Sequence, residues 1–97
     1  MADVLKGKKV AILAADMFER VELEEPRKAL EDAGADVEVV SIHDGEIKGF
    51  DHFDPANTVP VDHTVDEVSP DDYDALVEAA RVLTRAHPAV EIRPVDG

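Results

Sequence analysis

Residues 8–42 read KKVAILAADMFERVELEEPRKALEDAGADVEVVSI, and the order of patterns within them decides the fold. Val10, Ala11, Ile12, Leu13, Ala14 and Ala15 form an unbroken apolar run of strand length. Such a run suits a central parallel strand covered on both faces, because a one-sided strand alternates apolar with polar residues. Downstream, Pro26, Ala29, Leu30 and Ala33 recur at i, i+3, i+4 and i+7 and predict a helix with one face on the sheet. Gly34 ends that helix, since glycine accepts the left-handed conformation that turns the chain back, and Val37, Val39 and Val40 supply a second strand. Strand, helix and strand in that order predict parallel pairing through a right-handed crossover. The loop from Asp16 to Glu19 then falls at the carboxyl edge of the sheet, where open parallel sheets place their ligands.

The chain has 97 residues, 44% apolar and only 4% aromatic, which predicts one domain whose core is mostly Val, Leu, Ile and Ala. Its formal charge is −13, from 23 acidic and 10 basic side chains. Phosphate backbones and anionic membranes are repelled by such a surface, so nucleic acid and membrane are not expected partners. No apolar segment approaches the length of a membrane span and Met1 to Lys9 lacks the apolar core of a secretion signal, so a cytoplasmic location is expected. Cysteine is absent, which removes disulfides, thiolate metal sites and any cysteine nucleophile.

The loop Asp16-Met17-Phe18-Glu19 contains no glycine, so it is not a phosphate-cradling turn and no dinucleotide cofactor is expected. Pro26 forfeits the helical bond to the carbonyl of Glu22, so the turn around Glu22 is irregular or lies at the helix start. Spacing leaves Glu22 two readings: a solvated first-turn acid favoured by the helix dipole, or a buried carboxyl serving a site. Beyond it, Ile47 to Phe50 and Val59 to Val61 predict two short strands of an excursion outside the main sheet, with a polar loop, DHFDPANT, between them. His43, His52 and His63, with Asp44, Asp51, Asp54 and Asp62, show no recognised ligand spacing; they read as solvated loop residues, and no metal is expected. Ser69-Pro70-Asp71-Asp72 is a capped helix start. Tyr73, Leu76, Val77, Ala80 and Leu83 continue at helical spacing, so local pattern alone extends a helix from Ser69 to Ala86, ended by Pro88, with Ala89 to Ile92 as a last short strand.

Two stretches carry a family resemblance. VAILAADMFERVELEEPRKALEDAGADVEVVS, residues 10–41, and GEIKGFDHFDPANTVPVDHTVDEVSPDDYDALV, residues 45–77, resemble the PfpI intracellular-protease branch of the DJ-1/PfpI superfamily, which is similar to class I glutamine amidotransferase domains. The resemblance implies an α/β, flavodoxin-like three-layer sandwich with a parallel sheet, here truncated. It also implies hydrolase chemistry of the cysteine peptidase, deglycase or amidotransferase kind, a stress-response setting and assembly into dimers or higher oligomers. Glu22 matches the family glutamate that hydrogen-bonds and tunes the nucleophilic cysteine, which favours the buried, site-facing reading. Met17 stands where members commonly carry glycine.

After Val77 the resemblance stops. Members continue into Leu-Pro-Gly-Gly, whose amides stabilise an oxyanion, and later reach a Cys-His elbow; this chain reads EAARVLTRAHPAVEIRPVDG instead. The last 20 residues hold three basic and three acidic side chains, so the whole −13 lies in residues 1–77. Residues 1–77 therefore read as the amino-terminal part of a DJ-1/PfpI domain and 78–97 as a divergent segment, the product of a frameshift or an internal deletion. Burial of Leu76 and Val77 against the first strand favours a short strand at Ala75 to Val77 and a helix from about Ala79 to Ala86 over the single long helix. With no nucleophile, the family's acyl-transfer and hydrolytic chemistry does not carry over. The unpaired edge of a truncated sheet implies self-association or pairing with a homologous chain. A phosphoacceptor receiver domain shares the opening strand, but Asp16 lacks the neighbouring acid that holds magnesium.

Overall fold

The computed structural model describes residues 4–52, 54–79 and 91–94, the last as backbone alone. Strand β1 (Lys9–Leu13) is the centre of a five-stranded sheet. Strand β3 (Asp36–Ser41) lies on one side of it and β7 (Ala75–Glu78) on the other, both parallel. Beyond β3 a two-residue strand, β6 (His63–Thr64), also runs parallel. Beyond β7, β8 (Glu91–Pro94) runs antiparallel. The crossover from β1 to β3 passes through a two-residue strand, β2 (Phe18–Glu19), and helix α1 (Arg20–Asp32).

The apolar run of β1 is continuous because the sheet uses both of its faces. Val10, Ile12 and Ala14 turn to the α1 side, where they pack with Val37, Val39 and Val77. Ala11 and Leu13 turn to the opposite side with Val40, Leu76 and Tyr73. Val39 pairs with Ile12 and Val77 pairs with the same residue from the other flank, so three branched side chains stack in one layer.

Helix α1 forms where its pattern predicted, but its buried stripe is different. Leu23 is fully buried and Leu30, two turns on, packs against the same core, whereas Ala29 is exposed. The larger side chain takes the contact because burying leucine contributes about 2 kcal/mol, far more than a methyl group. Pro26 sits inside the helix, and Glu22 lies in its first turn, at the helix start as expected. Gly34 closes the helix at φ 98°, as expected.

The excursion is a second, three-stranded sheet in which β2 pairs in parallel with β4 (Glu46–Asp51) and β4 pairs antiparallel with β5 (Asp54–Pro60). The expected polar loop is therefore mostly strand, because Asp54, Pro55 and Ala56 form an exposed edge where polar residues and proline are tolerated. His52 lies in the turn that follows β4. Ile47 and Val59 face the core beneath it. Gly49 lies at an irregularity in the β4–β5 register and directly beside Phe18; a Cβ there would come 2.6 Å from the Phe18 ring.

At Ser69 the capping box forms, with Ser69 accepting from the Asp71 amide and Asp72 accepting from the Ser69 amide. It caps only a single 3-10 turn, Pro70–Asp72, and the chain then extends into β7. The long helix from Ser69 is thus overturned in favour of the strand: tertiary pairing with β1 outweighs helical spacing. Ala79 follows β7 as a buried, non-helical residue, and the rest of the helix expected over 79–86 lies outside the described residues. The last strand begins at Glu91; positions 89 and 90 of its expected range also lie outside. Because β8 pairs with β7, the flank of β7 is not the unpaired edge that truncation implied.

Two substitutions test this packing. Gly49→Ala is expected to lower stability by about 1–3 kcal/mol, since the new methyl must displace a fully buried ring. Met17, at φ 72°, occupies the left-handed region that β-branched residues tolerate worst. Met17→Val is expected to cost more than about 1 kcal/mol, and Met17→Gly to be neutral or stabilising by about 0.5 kcal/mol. Urea denaturation ranks them, and a valine variant more stable than the glycine variant contradicts the assigned geometry.

Candidate functional site at the carboxyl rim

The loop after β1 is fixed by its own backbone and by one carboxylate. The Met17 amide donates to the Lys48 carbonyl at 2.8 Å, and the Lys48 amide donates to Asp16 Oδ1 at 3.0 Å. Asp16 thereby acts as a stand-in for a strand residue, and the turn through the left-handed Met17 delivers Phe18 onto β4. One residue further, Glu19 Oε2 accepts from the His52 amide at 3.0 Å and ties the loop to the far end of the hairpin.

Glu22 follows in the first turn of α1, at the same carboxyl end of the sheet, and its side chain is partly buried. Its neighbour Leu23 is fully buried, which fixes the rotation of the helix. Around it the helix start is braced by Arg20, whose guanidinium contacts Asp51 at 2.7 Å and Glu24 at 2.9 Å. Glu24 also accepts from the Asn57 amide group at 2.9 Å. The charges at the helix start thus bind α1 to both strands of the hairpin.

The structure adds a pair that spacing did not reveal. His43 Nε2 lies 2.8 Å from Asp16 Oδ2, and His43 Nδ1 lies 2.7 Å from the Asp44 carbonyl. Both ring nitrogens face oxygens that accept, an arrangement that favours the protonated ring. Asp16 and His43 are 27 positions apart, and only the β1–β3 crossover brings them together. Ser41, at the end of β3, is almost fully buried, and its hydroxyl has no hydrogen-bond partner among the described residues. No signal in the sequence singles it out.

The three histidines do not converge. His43 sits on the rim, His52 on the hairpin turn and His63 in β6, where it lies 3.6 Å from Glu38 and 3.7 Å from Glu67. His63 is therefore a strand residue between two carboxylates rather than a loop histidine. Among the described residues no group of three or more metal-ligating side chains is assembled, and no helix is long and apolar enough to cross a membrane.

The Asp44 carbonyl, then Asp16, raises the pKa of His43 above its ordinary value of 6.5. A folded-state pKa raised above the unfolded one means that the clamp is complete below about pH 6.5 and is released as pH rises through the higher folded value. In a proton NMR titration His43 is expected to show a midpoint above 6.5, and Asp16→Asn to lower it. A midpoint unchanged by Asp16→Asn contradicts the contact.

Residues 8–78 match the model of the DJ-1/PfpI family. The chain is 45% identical over 69 residues to Deglycase TK1284 of Thermococcus kodakarensis, a match covering 71% of this chain and 39% of that protein. It is 42% identical over 69 residues to Deglycase PfpI of Pyrococcus furiosus, with the same coverage of 71% and 39%. The chain thus spans about two fifths of the length of the curated relatives it matches. Among solved structures, the DJ-1 superfamily protein Atu0886 from Agrobacterium tumefaciens superposes with a TM-score of 0.68 at 20% identity, over 84% of this chain and 43% of that one. That likeness places the parallel sheet, its helix and its hairpin in the flavodoxin-like fold, and the match over residues 8–78 makes the chain a member of the DJ-1/PfpI family.

Proposed function

We propose that residues 1–77 are the glutamate-bearing portion of a DJ-1/PfpI sandwich, that 78–97 are a divergent segment, and that the chain acts by association rather than by thiol chemistry. The observation that carries this reading is the absence of cysteine from a chain whose Glu22 stands at the carboxyl rim. Glu22 is assigned the family's cysteine-partner role in position only; a carboxylate tunes a nucleophile solely where one lies within hydrogen-bond reach. The end of the family match at residue 78 supports the boundary. Deglycase activity belongs by name to relatives more than twice as long as the matched region, and comes to this chain only with a thiol supplied by another polypeptide.

The expected partner is a second copy or a homologous chain, in the cytoplasm, with neither nucleic acid nor membrane involved; a surface of charge −13 favours this exclusion. No cofactor is required. The purified chain is expected to show no turnover in a deglycase or peptidase assay and a concentration-dependent sedimentation coefficient. Turnover abolished by iodoacetamide, or a strictly monomeric profile at every concentration, contradicts the proposal.

A further inference from the structure

We propose that Asp44, in the bend between β3 and β4, is a site of spontaneous covalent rearrangement to isoaspartate, directed by the ring of His43. This stands independently of the reading of the chain as an associating module. Asp44 is followed by Gly45, and a residue without a side chain shields its amide nitrogen least from the carboxyl that precedes it. Both residues are exposed, and Gly45 has φ 88°. Apart from its chain neighbours, no heavy atom lies within 4 Å of the point where a Gly45 Cβ would stand, so the space for a new ring is open. The same dipeptide recurs at Asp96-Gly97, outside the described residues.

The neighbouring ring supplies the electrophile. His43 Nδ1 lies 2.7 Å from the Asp44 main-chain carbonyl, and His43 Nε2 lies 2.8 Å from Asp16 Oδ2, so Asp16 holds the ring on that carbonyl. The Asp44 carbonyl, then Asp16, also holds the pKa of His43 above its ordinary 6.5, which keeps the ring protonated in mild acid. A cationic donor on a peptide oxygen draws charge from the whole amide. The Gly45 N–H becomes more acidic, and the nucleophilic amide anion forms more readily.

The rearrangement is a balanced pair of steps. The Gly45 nitrogen bonds to Cγ of the protonated Asp44 carboxyl; the carboxyl hydroxyl breaks away and leaves with the amide proton as water, closing a succinimide ring. Water then adds to one of the two imide carbonyls. Addition at the former main-chain carbonyl places the developing oxyanion against the His43 donor, which stabilises that route over its alternative. The bond from this carbon to the Gly45 nitrogen breaks, the nitrogen keeps the electron pair and takes up a proton, and the chain now runs through Cβ and Cγ. One water is lost and one gained, so the mass is unchanged. The bend gains one main-chain atom, and the carbonyl that held His43 becomes a free carboxylate.

The test is to age the full chain below pH 6.5, where His43 is protonated, and to follow the tryptic peptide of residues 29–48. Reversed-phase chromatography separates the isomers, and electron-transfer fragmentation places isoaspartate at a given position. Wild type is expected to accumulate isoaspartate at position 44, through a transient form lighter by one water. Gly45→Ala is expected to suppress it almost completely. His43→Gln is expected to slow accumulation several-fold and to lower the share of isoaspartate formed from the ring form. Should His43→Gln lose its native circular dichroism, Asp16→Asn, which frees the ring from its brace, is expected to slow it by a smaller factor. Wild type that ages without isoaspartate at 44 overturns the proposal, as does a folded His43→Gln, or in its place a folded Asp16→Asn, that accumulates it at the wild-type rate.

Discussion

Parallel pairing on both flanks of β1 is the constraint from which the rest of the molecule follows. Val10, Ala11, Ile12 and Leu13 each have a register partner in β3 and another in β7. The ladders extend past the strand ends: the Asp36 and Asp74 amides donate to the Lys8 and Lys9 carbonyls, and the Ala14 and Ala79 amides extend the two carboxyl ends. A backbone so paired leaves no donors for water, which permits apolar side chains on both faces. Everything at the carboxyl rim inherits its position from this strand.

Much of that was legible in the sequence. The unbroken run at 10–15 announced a central strand, and Gly34 marked the turn at the end of the helix. The strand at Ala75 to Val77 was recoverable only by weighing burial against local spacing, because Tyr73, Leu76 and Val77 satisfy a helical period equally well. In the fold, Tyr73 is instead a plug on the far face, its hydroxyl donating to Glu38 at 2.9 Å beneath Lys9. Ala29 misled for a simpler reason: spacing does not weigh side-chain size, and Leu23 was the better anchor.

The rim was less legible than the core. The site-facing reading of Glu22 rests on resemblance, since spacing alone allows a solvated acid. The Asp16–His43 contact depends on two loops meeting across the crossover, which no local pattern encodes. The left-handed Met17 is the clearest case of conflict between levels: a residue poorly suited to the conformation is held there by the Lys48 backbone and by Asp16. The geometry of the turn is set by the strand it delivers to β4 and not by the side chain at its tip.

The central claim is that β1 lies between β3 and β7, parallel to both. Nuclear Overhauser effects across these strands in solution test it most directly. The account predicts contacts from the Ile12 backbone to the segments around both Val39 and Val77, with pairing that advances in the same direction along all three strands. Contacts that run in opposite directions along β1 and β3, or Ile12 contacts confined to one flank, would contradict it.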